Sequence, residues 1–456
     1  MNKFTCYPVG RAMDEVGLKT LDVKELLECG RNANCSALES KDPWALMDSG
    51  LTQAPAEPVP NTRVLVVDFG GTNTRALMRS VDNAGNVSWR ELISMKNSEW
   101  SAPRGSKKAL IDFSKFLGEQ INQKLNEPAA WFDGVSVVWS NGASARPLDG
   151  ENGFIGVGAA VTGKKSTYVK GEPFVADLND GDRIDDLLLI GLGAEVFFDK
   201  LVISNDTVFT QMDACSGVIC STGTNTTLNI RQSDGSFRIF NSESGHRFKI
   251  SPEFLSIAEA RQYPGGIPVE RLTAGGDGCI PELFSLNLKE ILEGPAGDIR
   301  THSRLKGLST DKNSLKLSAS QISKLANSRS NDEFPQDVLT DQGLRDSEKS
   351  LMRKLASTLH ERGGKALASL IYFSVANQVS ALSSENPTVI TVNLDSAVAR
   401  HSEVFLKALM DGIGELNSTI VPHSIKVSPV QPLKLRDKTS VSVPAIGAAN
   451  VIDRYL

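Results

Sequence analysis

Cysteine and histidine are both scarce in this chain of 456 residues, with six of the first and five of the second. Cys6, Cys29, Cys35, Cys215, Cys220 and Cys279 form no C-x-x-C pair and have no histidine set at metal-ligand spacing. That excludes a zinc module or a disulfide framework and leaves reduced thiols, the pattern of a cytoplasmic protein. Long apolar runs are missing as well. The longest, Leu187 to Phe198, is broken by Glu195 and is too short to cross a bilayer, and residues 1–8 lack the apolar stretch of a secretory signal. Basic charge is not in excess either: 49 Lys and Arg stand against 54 Asp and Glu, a net charge of −5, which argues against a nucleic-acid surface. No membrane and no nucleic-acid partner is therefore expected.

What remains is an ordinary globular composition, 40% hydrophobic and 23% charged, long enough for two or three cores. Its most informative stretch is Val64 to Arg75. A four-residue apolar run ends in Asp68, followed by Gly70, Gly71, Thr72, Asn73 and Arg75, then a second apolar run to Met78. Run, glycine turn, run predicts a β-hairpin. Two glycines without a Cβ let backbone N–H groups approach an anion, and Asp68 stands where a carboxylate can orient a hydrated cation. An ordinary hairpin with a polar turn is the competing reading. The device then recurs: Gly223, Thr224, Asn225 and Thr226 repeat residues 71–74, again between apolar runs. A second turn follows each copy, at Asn83–Gly85 and at Ser233–Gly235. A strand–turn–strand–turn–strand unit present twice predicts two similar lobes.

The other elements follow from periodicity and turn residues. Residues 13–30 are predicted helical, 52–62 a loop rich in proline. Leu110, Phe113, Leu117, Ile121 and Leu125 mark a helix over 106–126. Residues 134–139 and 200–204 are strands, the latter ending at Asn205-Asp206-Thr207. An acid just past a buried strand is where open α/β sheets place chemistry, although Asn205 or Asp206 could equally cap the following helix. Residues 141–173 form a long glycine-rich segment, predicted to be functional. Residues 183–192, 252–260, 269–273, 352–380 and 402–416 are helical, 387–394 a strand, and 296–350 solvated helices and loops. Gly363 and Gly364 mark close helix packing. Near the end, Gly447, Ala448 and Ala449 allow either a flat ligand or a close helix contact. In sum, the fold is α/β. The predicted boundaries are an N-terminal segment over 1–61, a small domain over 62–200, a large domain over 201–439, and a C-terminal helix over 440–456 returning to the small domain.

In this order the pieces resemble the hexokinase family of the actin/Hsp70/sugar-kinase superfamily. The first phosphate loop, D-x-G-G-T-N-x-R, stands at Asp68, Gly70, Gly71, Thr72, Asn73 and Arg75. The N-D-T motif stands at Asn205, Asp206 and Thr207. G-T-G-T-N appears as Ser221, Thr222, Gly223, Thr224 and Asn225. N-T-E-W-G appears as Asn241, Ser242, Glu243, Ser244 and Gly245. P-G-x-x-x-x-E runs from Pro264 to Glu270, W-T-K-G-F is approximated by Tyr168 to Gly171, and G-x-G-K-G-A-A by Val443 to Ala449. The departures, Trp139-Ser140-Asn141 for the F-S-F-P loop, Val169 for a threonine and Ser244 for a tryptophan, gather on the sugar side.

The resemblance implies a two-lobed ribonuclease-H-like or actin-like fold, with duplicated βββαβα cores and a cleft between lobes that closes on its sugar. It implies transfer of the γ-phosphoryl group of ATP, with Mg²⁺, to the 6-hydroxyl of glucose or a related hexose. Asp206 would be the base, assisted by Lys170 and Arg75. Ser140, Lys170, Asn205, Asn225, Glu243 and Glu270 would hold the sugar. Asp68, Gly70, Gly71, Thr72, Asn73, Arg75, Thr222, Gly223, Thr224 and Gly447 would hold the nucleotide, with Asp68 meeting the metal through water. The alternatives are a sugar-binding regulator with little turnover, or a kinase using another sugar or donor. Monomer and homodimer both stay open.

Overall fold

The computed structural model describes residues 13–14, 16–27, 47–52, 57–70, 73–96, 107–140, 143–150, 153–161, 178–211, 214–294, 305, 316–338, 344–381, 387–435 and 439–456. Two sheets frame it. One contains β1 (Met47–Thr52), β9 (Ser216–Cys220), β10 (Thr224–Arg231), β11 (Phe237–Asn241), β14 (Val389–Ser396) and β15 (Ser424–Pro429), in the order β1-β11-β10-β9-β14-β15. The other, the first sheet because it belongs to the first lobe, contains β2 (Thr62–Phe69), β3 (Asn73–Val81), β4 (Val87–Lys96), β5 (Gly134–Trp139), β6 (Ala143–Asp149), β7 (Ile155–Val161) and β8 (Lys200–Ser204), in the order β4-β3-β2-β5-β8-β7-β6. Without their outer strands, the two are the same object. β4-β3-β2-β5-β8 and β11-β10-β9-β14-β15 each join an antiparallel meander to two parallel strands. The chain is thus a two-lobed α/β protein with a duplicated core.

Helices make the crossovers. α1 (Lys107–Leu125) and α2 (Ile184–Gly191) serve the first lobe, and α3 (Asp206–Gln211) leaves it. After β11 come α4 (Ser244–Arg247), α5 (Ile257–Gln262), α6 (Val269–Thr273), α7 (Ile280–Glu293) and α8 (Ala319–Asn327), with the ribbon β12 (Lys249–Ile250)–β13 (Ile267–Pro268) around α5. α9 (Asp346–Ala381), α10 (Ala397–His401) and α11 (Glu403–Asn417) complete the second lobe, and α12 (Val443–Ile452) ends the chain.

The apolar face read from α1 is the one that packs. Leu110, Phe113, Leu117 and Ile121 are buried against Leu65, Val67, Val135 and Val137 of the first sheet, each large side chain contributing about 1.5–3 kcal/mol. In the second lobe, α9 packs Leu355, Leu359, Leu367 and Ile371 into the core. Its two glycines admit neighbours: a Cβ on Gly363 would stand 2.4 Å from Leu272 O, and one on Gly364 2.5 Å from Phe405 O. Arg362 pairs with Glu259 inside this core at 2.7 Å. Burial alone would raise the Glu259 pKa, but Arg362, with bonds from Ser256 and Asn287, holds it below its usual value. A third core lies under α12, where Ala445, Ala448, Ala449 and Ile452 meet Val64, Val66, Val202 and Phe209. There Arg79 of β3 pairs with Asp453 and donates to Ala449 O at 3.0 Å.

Several expectations are corrected. Residues 16–22 are a turn and irregular chain, not helix; Met13, Asp14 and Val23–Leu27 are helical in the described part of 13–30. Gly17, at φ +70°, breaks the helix that the apolar spacing implies, while Val16, Leu18 and Leu21 are buried all the same. Residues 47–52, just before the predicted loop, form β1, whose partner β11 lies far along the chain. The glycine-rich segment holds the β6–β7 hairpin. β8 runs across the expected boundary at 200/201 and belongs to the first sheet.

Candidate functional site

The carboxyl ends of the parallel strands carry the polar residues, as open α/β sheets require. Asp68 ends β2 beside its register partner Arg75 on β3. Ser442, the N-cap of α12, donates to Asp68 Oδ2 at 2.9 Å. Burial raises the Asp68 pKa; the Ser442 bond and the Arg75 charge oppose that, and Asp395 adds to it. Asp395 lies at the end of β14, in register with Ile219 of β9. Asp68 of one lobe and Asp395 of the other, the latter paired with Arg400 at 2.5 Å, therefore lie within electrostatic reach of one another.

Asn205 and Asp206 divide the two roles that the sequence left open. Asn205 Oδ1 accepts from Thr207 N at 2.9 Å, the capping bond, while its Nδ2 donates to Trp139 O at 3.3 Å. Asp206 Oδ1 accepts from Thr207 N at 2.8 Å. Its Oδ2 takes no hydrogen bond among the described residues. Asp206 is half-buried on the cleft floor, and its pKa is raised to about 7, first by burial, then by the charges of Asp68 and Glu243, against the Thr207 bonds. One side chain thus senses a carboxylate from each side of the cleft.

The second lobe supplies a hydrogen-bonded set. Asn225 Nδ2 donates to Asn241 Oδ1 at 2.6 Å and lies 3.4 Å from Glu243 Oε1, to which Asn241 Nδ2 donates at 2.9 Å. Asn225 Oδ1 accepts from Thr226 N and Ser244 N. Glu243 sits at φ +46°, a left-handed conformation that costs about 1–3 kcal/mol for a non-glycine residue and is held where the surroundings over-determine it. Burial raises its pKa, opposed mainly by Asn241. Gly245 docks this loop on β10: a Cβ there would stand 2.0 Å from Thr224 O. Glu270, in the first turn of α6, reaches toward Gly223, where a Cβ would lie 2.9 Å from its Oε1. Gly275 N and Gly276 N bond Ser221 O and Thr222 O, lining the second loop with backbone.

The sequence-derived site residues fare unevenly. Asp68, Arg75, Asn205, Asp206, Asn225, Glu243, Glu270 and Gly223 gather at the cleft. Ser140 follows β5 and is half-buried; Thr222 is exposed. Gly70 and Asn73 flank the first turn, while Gly71, Thr72 and Lys170 lie outside the described residues. Two assignments are corrected. Thr224 is buried and its hydroxyl is shared with Thr273 Oγ1 at 2.7 Å, so its side chain faces the core rather than a phosphate. Gly447 faces α3, where a Cβ would stand 1.9 Å from Phe209 O, so of the two readings the sequence left open the helix contact is the one seen. Missed were Asn241, Asp395, Ser442 and His246. Asp395 ended a predicted strand and Ser442 preceded Val443-Pro444, a helix-start signal; both cues were present.

No protein-family model and no curated protein sequence matches the chain. Solved structures do. A hexokinase from Schistosoma mansoni complexed with glucose superposes with a TM-score of 0.70 at 15% identity, covering 97% of this chain and 98% of that one. A second hexokinase crystal structure superposes with a TM-score of 0.67 at 16% identity, covering 98% and 99%. Over essentially its whole length the chain has the two-lobed hexokinase fold.

Proposed function

We propose that this protein is a hexose kinase that transfers the γ-phosphoryl group of ATP to the 6-hydroxyl of glucose or a related hexose. The observation that carries the proposal is the position of Asp206: a half-buried carboxylate, one oxygen of which takes no hydrogen bond among the described residues, within electrostatic reach of Asp68 at the first phosphate loop and of Glu243 in the polyol-binding set. Phosphoryl transfer passes through a loose transition state, so holding the partners in line and neutralising charge supply most of the rate. Asp206 would take the hydroxyl proton as the bond to phosphorus forms. Asn205, Asn225, Glu243 and Glu270 would exchange hydrogen bonds with the other hydroxyls. Carboxylates suit that task, because a sugar lacking a hydroxyl leaves a buried charge unpaired. Arg75 and Lys170 would offset charge on the triphosphate and the transferring group, and the backbone of the loops at 70–73 and 221–223 would cradle it.

Among the described residues no group of three or more His, Cys, Asp or Glu side chains could hold a metal ion. Asp68, beside Asp395 that is itself paired with Arg400, fits instead a cation carried in by the triphosphate and its waters. Mg²⁺ bound there would neutralise charge on the transferring oxygens.

ADP release by the purified protein, over a panel of hexoses and donors, tests the reading. Release that depends on a hexose supports it; release with no hexose dependence, or none with any donor, overturns it. The departures around Ser140 and Ser244 favour a second reading, a kinase for a different sugar, which the same panel separates.

Two further outcomes follow. Asp206 acts as a base only when ionised, so log kcat/KM for the sugar rises with a slope of about 1 as pH climbs toward 7. Lobe closure on the sugar, which excludes water from the transfer, shortens the radius of gyration measured by solution scattering when glucose is added.

A further inference from the structure

We propose that His246 is a positioning residue of the sugar site, whose imidazolium clamps the Glu270 carboxylate over Gly223, so that sugar affinity depends on a proton held outside the catalytic carboxylate. The proposal rests on the sugar-kinase reading of the cleft. His246 Nδ1 lies 2.8 Å from Glu270 Oε2. That oxygen is shielded from solvent and takes no hydrogen bond of good geometry among the described residues, so the imidazole meets it as a charge at ion-pair distance. The other oxygen is the one that faces Gly223 in the second loop. The imidazole side chain is 66% exposed and the Glu270 side chain 13%, so the ring is open to solvent on the side away from the acid.

The surroundings of the ring explain why it carries charge. Glu270 and Arg271 face it from α6, and Glu243 faces it from the N-terminal end of its own helix. The bond to Glu270 raises the His246 pKa; burial opposes this, the Glu270 and Glu243 charges reinforce it, and Arg271 offsets part of it. Glu243 and Glu270 also repel one another. The imidazolium places a positive charge beside both carboxylates and fixes the direction of Glu270. Since the folded-state pKa lies above 6.5, the clamp is intact at and below that pH, and it releases as pH rises through the higher folded value.

Calorimetric titration of glucose without nucleotide, over pH 5.5–8.5, tests this on the full-length protein. For wild type the dissociation constant is expected to weaken as pH rises. His246→Ala should weaken glucose binding about tenfold or more at low pH and flatten that pH dependence, and His246→Gln, whose amide still donates, should recover part of the affinity. In turnover the loss should fall on KM rather than kcat. A dissociation constant in His246→Ala within twofold of wild type, an unaltered pH dependence, or kcat and KM changed in equal measure at every pH would overturn the proposal. NMR titration of the histidine rings supplies an arm that needs neither sugar nor turnover. The resonance lost in His246→Ala should titrate at higher pH in wild type than in Glu270→Gln, and coincident titrations would overturn the clamp. Absence of hexose-dependent ADP release refutes the kinase function separately, and the ring titration still decides this proposal.

Discussion

Asp206→Asn is expected to lower kcat by about 10²–10⁴-fold, the contribution of a positioned proton acceptor, while glucose binding persists. The amide keeps the size of the side chain and can still accept from Thr207 N, as Asp206 Oδ1 does at 2.8 Å, so α3 should keep its start. What is lost is the basic oxygen. The same variant has a second signature that a merely disruptive change would not show. The pKa of Asp206 is about 7 in the folded protein, above the ordinary 3.8. A raised folded pKa stabilises the protein fully below pH 3.8, and that stability is lost as pH rises through 7. At about 1.4 kcal/mol per unit, the ionised wild type carries a penalty of a few kcal/mol at pH 8. Asparagine carries none. The variant should therefore melt above wild type at pH 8, with the gap narrowing as pH falls from 7 toward 4. Near-normal kcat would remove Asp206 from the role of base, and a variant that melts lower at pH 8 would contradict the buried charge.

Arg79→Met is the change expected to cost most in stability, about 3–5 kcal/mol in urea unfolding, because it leaves Asp453 charged, buried and alone. Arg79 is 1% exposed and its partner's side chain is fully buried. The pair closes α12 onto β3, and the same helix presents Ser442 to Asp68. Activity should thus fall along with stability, through a looser first phosphate loop. The double variant Arg79→Met/Asp453→Leu, which removes both charges, should recover most of the lost stability. A single variant within 1 kcal/mol of wild type would show that the pair is not an anchor.

How much of this was legible in the sequence depends on the distance over which each cue acts. The two hairpins could be read because glycines and apolar runs are local signals, and because the second copy repeats the first. α1 could be read from its spacing, and the Gly363–Gly364 pair from its rarity in a helix. β1 could not, since its partner Phe237–Asn241 lies about 190 positions away and its own six residues carry no alternation. The helix expected over 13–30 is interrupted at 16–22, where Gly17 takes a positive φ, although the apolar residues that prompted it are buried. Thr224 and Gly447 matched a motif, but which way each faces is decided by Thr273 and Phe209, contacts that no local pattern encodes. Asn205 and Asp206 offered two roles to two adjacent residues, and only the hydrogen bonds assign capping to one and leave an oxygen of the other without a bond among the described residues. His246 was visible only as part of a polar loop, because its meaning depends on Glu270 of a separate helix.

The central claim, that this cleft passes a terminal phosphoryl group to a sugar hydroxyl, is tested most directly by phosphorus NMR of a mixture of the protein, ATP, Mg²⁺ and glucose. The account predicts a growing phosphomonoester signal coupled to the two protons on carbon 6 of the sugar, matched one for one by ADP and absent with Asp206→Asn. Inorganic phosphate accumulating in step with ADP, or a mixture in which ATP is never consumed, would contradict it.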